Sequence, residues 1–144
     1  MKTGSSGVFR VSEAANLAIH AAAILARENR LVRTSELAAM LDASEAHLAK
    51  VLQRLERSCI VEGVRGPSGG FRLARPAAAT TLMDVYESVE GRTSEGRCIF
   101  GISTCNGKVC ALGGYFQKVN RDVLSRMSNT RLSDLGIRIR TKHG

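Results

Sequence analysis

No stretch of the chain approaches the ~18 consecutive apolar residues that a bilayer-spanning helix requires. The opening Met1-Lys2-Thr3-Gly4-Ser5-Ser6-Gly7 also lacks the apolar core of a secretory signal. A cytoplasmic protein with no membrane partner is expected, and residues 1–7 read as a flexible leader. Internal repeats and low-complexity tracts are missing too. No serine–histidine–aspartate arrangement, phosphate loop or carboxylate pair is evident, so no catalytic residue is assigned and an enzyme is not expected. Acidic side chains are in the minority, 13 against 21 lysines and arginines, which leaves a net charge of +8 and favours a polyanionic partner. There are only four cysteines. In a reducing compartment they do not form a disulfide scaffold, so the clustering of three of them calls for a metal or redox explanation.

What is present begins with a run rich in alanine and leucine from Ser12 to Glu28. Leu17, Ala21, Ile24 and Leu25 repeat at helical spacing and predict a buried or amphipathic first helix, with Asn16 and His20 one turn apart on a neighbouring face. Thr34 is the expected N-cap of a second helix reaching Leu41, with Glu36 in its first turn. Asp42-Ala43-Ser44 breaks that helix. Ser44 caps a third, running to about Ser58, whose apolar stripe is Leu48, Val51, Leu52 and Leu55. Cys59, beside Ile60 and Val61, reads as ordinary core. Two helices split by a tight turn, the second outwardly polar and basic, form the layout of a helix-turn-helix.

Two short strand-like segments follow, Ile60 to Arg65 and Phe71 to Ala74, joined by Gly66-Pro67-Ser68-Gly69-Gly70. This basic hairpin, flanked by Arg65 and Arg72, is a wing whose glycines let the backbone approach a sugar-phosphate wall. Arg75 to Ala79 reads as a linker, and Thr81 with Asp84 as a capping box opening a helix to about Val89. Periodicity disappears from Gly91 to Cys110, a loop length that is usually functional. It resumes near Leu112 with Phe116, Val119, Val123 and Met127 on one stripe, before a last turn at Leu132 to Leu135. That stripe exceeds what a small winged domain needs, so the helix is expected to pack against a second copy of the chain, giving a homodimer.

The expected fold is therefore mainly α with a small β-hairpin: a winged helix-turn-helix domain over 8–78, a cysteine loop and dimerisation helix over 79–135, and a flexible tail over 136–144. Ser44, Glu45, His47 and Lys50 are the residues expected to face base edges, with Arg54 and Arg57 nearer the backbone of double-stranded operator DNA. In the wing the candidates are Arg65, Gly66, Pro67, Ser68 and Gly69.

Cys98, Cys105 and Cys110 bring three thiolates into one glycine-containing loop, a donor set suited to an iron–sulfur cluster or zinc. A full set needs a fourth ligand, for which His20, Asn16, Glu13, water or a small thiol are the candidates. His47 is better explained by DNA contact. Alternatives to a cluster are structural zinc, a thiol–disulfide switch, or a small electron-transfer protein that leaves the basic wing unexplained.

The run Arg65-Gly66-Pro67-Ser68-Gly69-Gly70-Phe71-Arg72-Leu73-Ala74, with the helix-turn-helix before it and Thr81-Leu82-Met83-Asp84-Val85 and three cysteines after it, resembles the Rrf-two family of bacterial winged helix-turn-helix transcriptional regulators (IscR-, NsrR- and CymR-like). The resemblance runs from Val8 to Leu135. It implies a homodimer with crossed long helices, recognition helices in successive major grooves, Arg65 reaching the minor groove, and a 4Fe-4S or 2Fe-2S cluster on the three cysteines acting as a redox sensor for a repressor. The cysteine gaps here are six and four residues, less even than in cluster-binding members. Gly113 stands where IscR-like proteins carry a completing histidine, and Asn16 where NsrR-like proteins carry an acidic ligand. His20 matches a histidine that ligates in some members and is structural in others.

Overall fold

The computed structural model describes residues 9–94, 110–112 and 114–136. Cys98, Cys105, the leader over 1–7 and the tail beyond Gly136 lie outside the described residues.

Helix α1 spans Glu13–Glu28. Ser12 caps it by accepting the Ala15 N–H at 3.0 Å, and Asn29 closes it in the left-handed region with its N–H on the Leu25 carbonyl. Its alanines leave little side-chain bulk, so neighbours pack close around it; Ala15, Ala18, Ala21 and Ala22 are fully buried alongside Leu17, Ile24 and Leu25. Helix α2 covers Thr34–Leu41. Its N-cap is Arg33, not Thr34 as the sequence suggests, and no side chain caps it. The preceding residue explains the shift. Val32 is held extended by two hydrogen bonds with Phe71 (2.9 and 2.8 Å), so the chain leaves that bridge and enters the helix immediately.

Helix α3, Glu45–Arg57, is capped by Ser44 on the His47 N–H at 3.3 Å. Leu48, Val51, Leu52 and Leu55 are buried, as their spacing predicts. Each fully buried leucine is worth roughly 1.5–3 kcal/mol relative to exposure. Cys59 corrects the expectation of a core residue: it is exposed and has φ +56°. The reason is the helix end. The Cys59 N–H donates to the Glu56 carbonyl and the Ile60 N–H to that of Leu55, a Schellman closure in which Cys59 occupies the left-handed position and Ile60 takes the core position.

The wing consists of β1 (Val61–Val64) and β2 (Gly70–Leu73), antiparallel with Val61 opposite Leu73 and Val64 opposite Gly70. Ala77–Ala79 forms a 3₁₀ turn inside the expected linker. Helix α4, Leu82–Glu90, opens on the expected capping box, with Thr81 Oγ1 accepting the Asp84 N–H (3.1 Å) and the Asp84 carboxylate accepting the Thr81 N–H (2.9 Å). Helix α5 spans Tyr115–Asn129 and none of its residues is buried. A 3₁₀ turn at Leu132–Asp134 follows; Leu132 enters the core, and its N–H donates to Thr80 while that of Leu82 donates to Thr130. The C-terminal segment is thus tied to the start of α4.

The architecture is the expected one, mainly helical with a two-stranded wing. No described helix is long and apolar enough to cross a membrane.

Candidate nucleic-acid interface

Helix α3 and the wing flank one groove of about 570 Å³, whose lining includes Arg33, Thr34 and Ser35 from the start of α2, Glu45, Gln53 and Glu56 along α3, and Arg65 from the wing. Gly66, Pro67 and Gly69 also border it. The groove therefore brings together residues of the two elements singled out by sequence, such as Glu45 and Arg65, twenty positions apart. Ser44, His47, Lys50, Arg54 and Ser68 do not line it. Lys50 on α3 and Ser44 at its N-cap are exposed, and the Ser44 hydroxyl oxygen is engaged as the helix cap. His47 is half-buried, with Nδ1 3.7 Å from Glu13 Oε1 at the start of α1. Arg54 is exposed but its Nη1 donates to the Val89 carbonyl at 3.1 Å.

The wing's glycines divide by role. A Cβ on Gly69 would lie 2.1 Å from the Val64 carbonyl oxygen, and one on Gly70 2.6 Å from that of Val32, so the first is demanded by the hairpin's own turn and the second by its approach to Val32. Gly66 differs: φ is +110° and nothing lies within 4 Å of its would-be Cβ. Gly66 is thus the open backbone position at the wing tip. Arg72 is paired across the strands with Glu62, its direct partner in register, which leaves Arg65 as the wing cation directed to the groove.

Sequence reasoning missed Arg33. Its guanidinium donates to the Pro67 carbonyl, fastening the wing tip to the entrance of α2 across 34 positions of sequence. No local pattern reports such a contact. A surface network nearby, Arg27 and Arg30 with Glu28 and Glu36, holds the end of α1 to α2; hydrogen bonds from Arg27 and Arg30 respectively pull the Glu28 and Glu36 carboxyls below the ordinary carboxylate range.

Of the candidate metal ligands, Cys110 is exposed and outside any disulfide. His20 is exposed on α1 with Nδ1 2.8 Å from the Asn16 carbonyl oxygen. A carbonyl can only accept, so Nδ1–H is the donor, and in the neutral ring Nε2 is then the nitrogen with a lone pair for a ligand, the arrangement typical of metal-bound histidine. Asn16 is half-buried and Glu13 exposed. The donor chemistry of Cys110 and His20 fits a thiolate-bound iron or zinc centre. Among the described residues no group of three histidine, cysteine or acidic side chains converges.

Near the start of α5, the ring of Phe116 meets those of Phe9 (centroids 6.4 Å apart) and Tyr115 (5.4 Å), both edge-on. Leu112, Tyr115 and Val123 leave 46–60% of their surface exposed.

Residues 11–137 match the family model Rrf2, described as an iron-dependent transcriptional regulator. The chain is 42% identical over 73 residues to protein aau3 of Rhizobium meliloti, an alignment covering 51% of this chain and 47% of that protein. It is 40% identical over 62 residues to the HTH-type transcriptional regulator IscR of Cereibacter sphaeroides, covering 43% and 40%. These alignments span about half or less of the curated relatives' length. In fold the chain resembles CymR, the global cysteine regulator of B. subtilis, with a TM-score of 0.74 at 19% identity over 88% of this chain and 95% of that one.

Proposed function

The chain belongs to the Rrf2 family of transcriptional regulators, and from that premise we propose that it binds operator DNA through α3 and the wing, with affinity switched at the three-cysteine loop. The observation that carries the DNA-binding half is the shared groove: α3, Arg65 of the wing and the amino-terminal turn of α2 border one concavity. Beside that groove, exposed Lys50 on α3 and Ser44 at its N-cap are offered to base edges, and Arg65 with the open backbone at Gly66 to the sugar-phosphate wall. Net charge of +8 supplies the sequence-independent attraction.

Cys98, Cys105 and Cys110 would hold an iron–sulfur cluster, with His20 Nε2 as the first candidate for the remaining position. Such a cluster would supply iron–thiolate bonds sensitive to oxidation or nitric oxide. The residues of this chain do the rest. The His20 ring is oriented by its Nδ1 contact with the Asn16 carbonyl, and α1 carries it on a helix whose own first turn reaches His47 of α3 through Glu13. The apolar face of α5 supports association into a homodimer, in which two recognition helices must meet two half-sites at once. A small change in their separation then removes much of the affinity without altering a DNA-contacting residue.

The test has two arms. Anaerobically prepared protein should be coloured, with iron and sulfide in stoichiometric amounts, and should bleach with oxygen or nitric oxide; a colourless zinc protein would replace the cluster by structural zinc. Operator affinity is then compared at fixed salt for cluster-loaded protein, cluster-free protein and Cys105→Ala. Equal affinities refute switching and leave DNA binding intact.

A further inference from the structure

Arg54 projects from α3 on the solvent side, where a basic residue would ordinarily be assigned to a DNA phosphate. Its Nη1 instead donates to the Val89 carbonyl oxygen at 3.1 Å. Val89 is the penultimate residue of α4, and the last four carbonyls of a helix have no partner inside it and carry its negative partial charge. A guanidinium from a neighbouring helix satisfies both needs. The same helix end is held from two further directions. The Ser12 hydroxyl, at the start of α1, donates to the Glu90 carboxylate. The Glu87 carboxylate accepts the Thr93 N–H at 2.9 Å and its hydroxyl at 2.8 Å, pinning the chain as it leaves α4. Cys98 follows Thr93 by five residues.

We propose that Arg54 is a positioning residue: it fastens the recognition helix to the C-terminal end of α4, so that DNA affinity depends on how that end is held as well as on the side chains α3 exposes. This rests on reading α3 as the recognition helix. It also gives a hydrogen-bonded route from Thr93 to α3: Thr93 to Glu87, through the last turn of α4 to the Val89 carbonyl, and across to Arg54.

The two roles open to Arg54 are separable. A phosphate contact contributes to every duplex alike, and its loss lowers the salt slope of binding by about one. A positioning contact changes the ratio between a preferred and an unrelated duplex and leaves the slope unchanged. The experiment uses full-length cluster-free protein, a duplex enriched by the wild type from a random library, and an unrelated duplex of equal length, each titrated at several salt concentrations. Hydrogen exchange of the α4 end is measured on the same proteins without DNA. For Arg54→Ala the expected results are a roughly five- to tenfold fall in the preferred-to-unrelated ratio, an unchanged slope, and faster exchange at Val89 to Gly91. Glu90→Ala, which loosens the same helix end from the α1 side by removing the acceptor of the Ser12 hydroxyl, should lower the ratio in the same direction. A lowered slope with equal weakening on both duplexes and unaltered exchange overturns the proposal in favour of a phosphate contact. Wild-type ratios in both variants overturn it outright. Failure of the wild type to enrich any duplex refutes the reading of α3 itself, and this is distinguishable because the exchange comparison is made without DNA.

Discussion

Gly70→Ala is the substitution for which the structure gives the most definite magnitude. Gly70 has φ +152°, a conformation that costs a residue with a side chain roughly 1–3 kcal/mol. Its added Cβ would stand 2.6 Å from the Val32 carbonyl oxygen and 2.7 Å from its carbon, both backbone atoms that cannot rotate away. The hairpin must therefore back off from Val32, breaking the reciprocal Val32–Phe71 hydrogen bonds, each worth about 1 kcal/mol net. The sum is about 3–5 kcal/mol, a large share of the 5–15 kcal/mol typical of a domain. Gly66→Ala is the control, since its φ is also positive while its Cβ site is empty; the difference between the two variants isolates the contact with Val32. Urea unfolding followed by circular dichroism gives the global loss, and hydrogen exchange at Val32 and Phe71 shows whether it is local to the wing. Equal stability of the two variants, or protection at Val32 unchanged in Gly70→Ala, would refute the reasoning.

Three further outcomes are expected. Cys59→Gly should stabilise the protein by about 0.5–1 kcal/mol, because glycine removes the left-handed strain at φ +56° at some entropic cost; a lowered thermal midpoint would contradict this. Thr81→Ala removes one half of the capping box of α4 and should cost about 1 kcal/mol, read as a fall in the urea midpoint at constant slope. The Glu87 carboxyl is held below its ordinary value of 4.5, chiefly by the Thr93 N–H and then by its hydroxyl. A depressed folded-state pKa gives stability that is complete above about pH 4.5 and is lost as pH falls through the lower folded value, so wild type should lose more stability than Glu87→Gln on acidification below that point. Parallel profiles would show that the Thr93 hydrogen bonds do not favour the charged form.

Much of the fold was legible because it is written in short-range patterns. The 3.6-residue stripe of Leu48, Val51, Leu52 and Leu55, the Ser44 cap and the Thr81/Asp84 box each depend on residues within one or two turns, and each appears as expected. The start of α2 and the exposure of Cys59 were not legible for the same physical reason. Arg33 takes the cap position because Val32 is paired with Phe71, almost forty residues on, and Cys59 leaves the core because the chain must reverse from α3 into β1 and only one residue can take the left-handed step. The glycines of the wing were recognised from composition, but their reasons differ: two answer to carbonyl oxygens of Val64 and Val32, and only Gly66 is open.

The sequence by itself determined the order of helices, the hairpin, the basic excess and the three clustered cysteines, since these follow from periodicity, turn chemistry and counting. It also assigned a set of exposed residues to α3 without being able to say which of them were already occupied. Only the tertiary structure decided that, because hydrogen-bond partners distant in sequence are chosen by packing. It set Arg54 against the end of α4, Arg33 against the wing tip and His47 beside Glu13, and it turned Nδ1 of His20 to the Asn16 carbonyl, leaving Nε2 as the nitrogen free to meet a ligand.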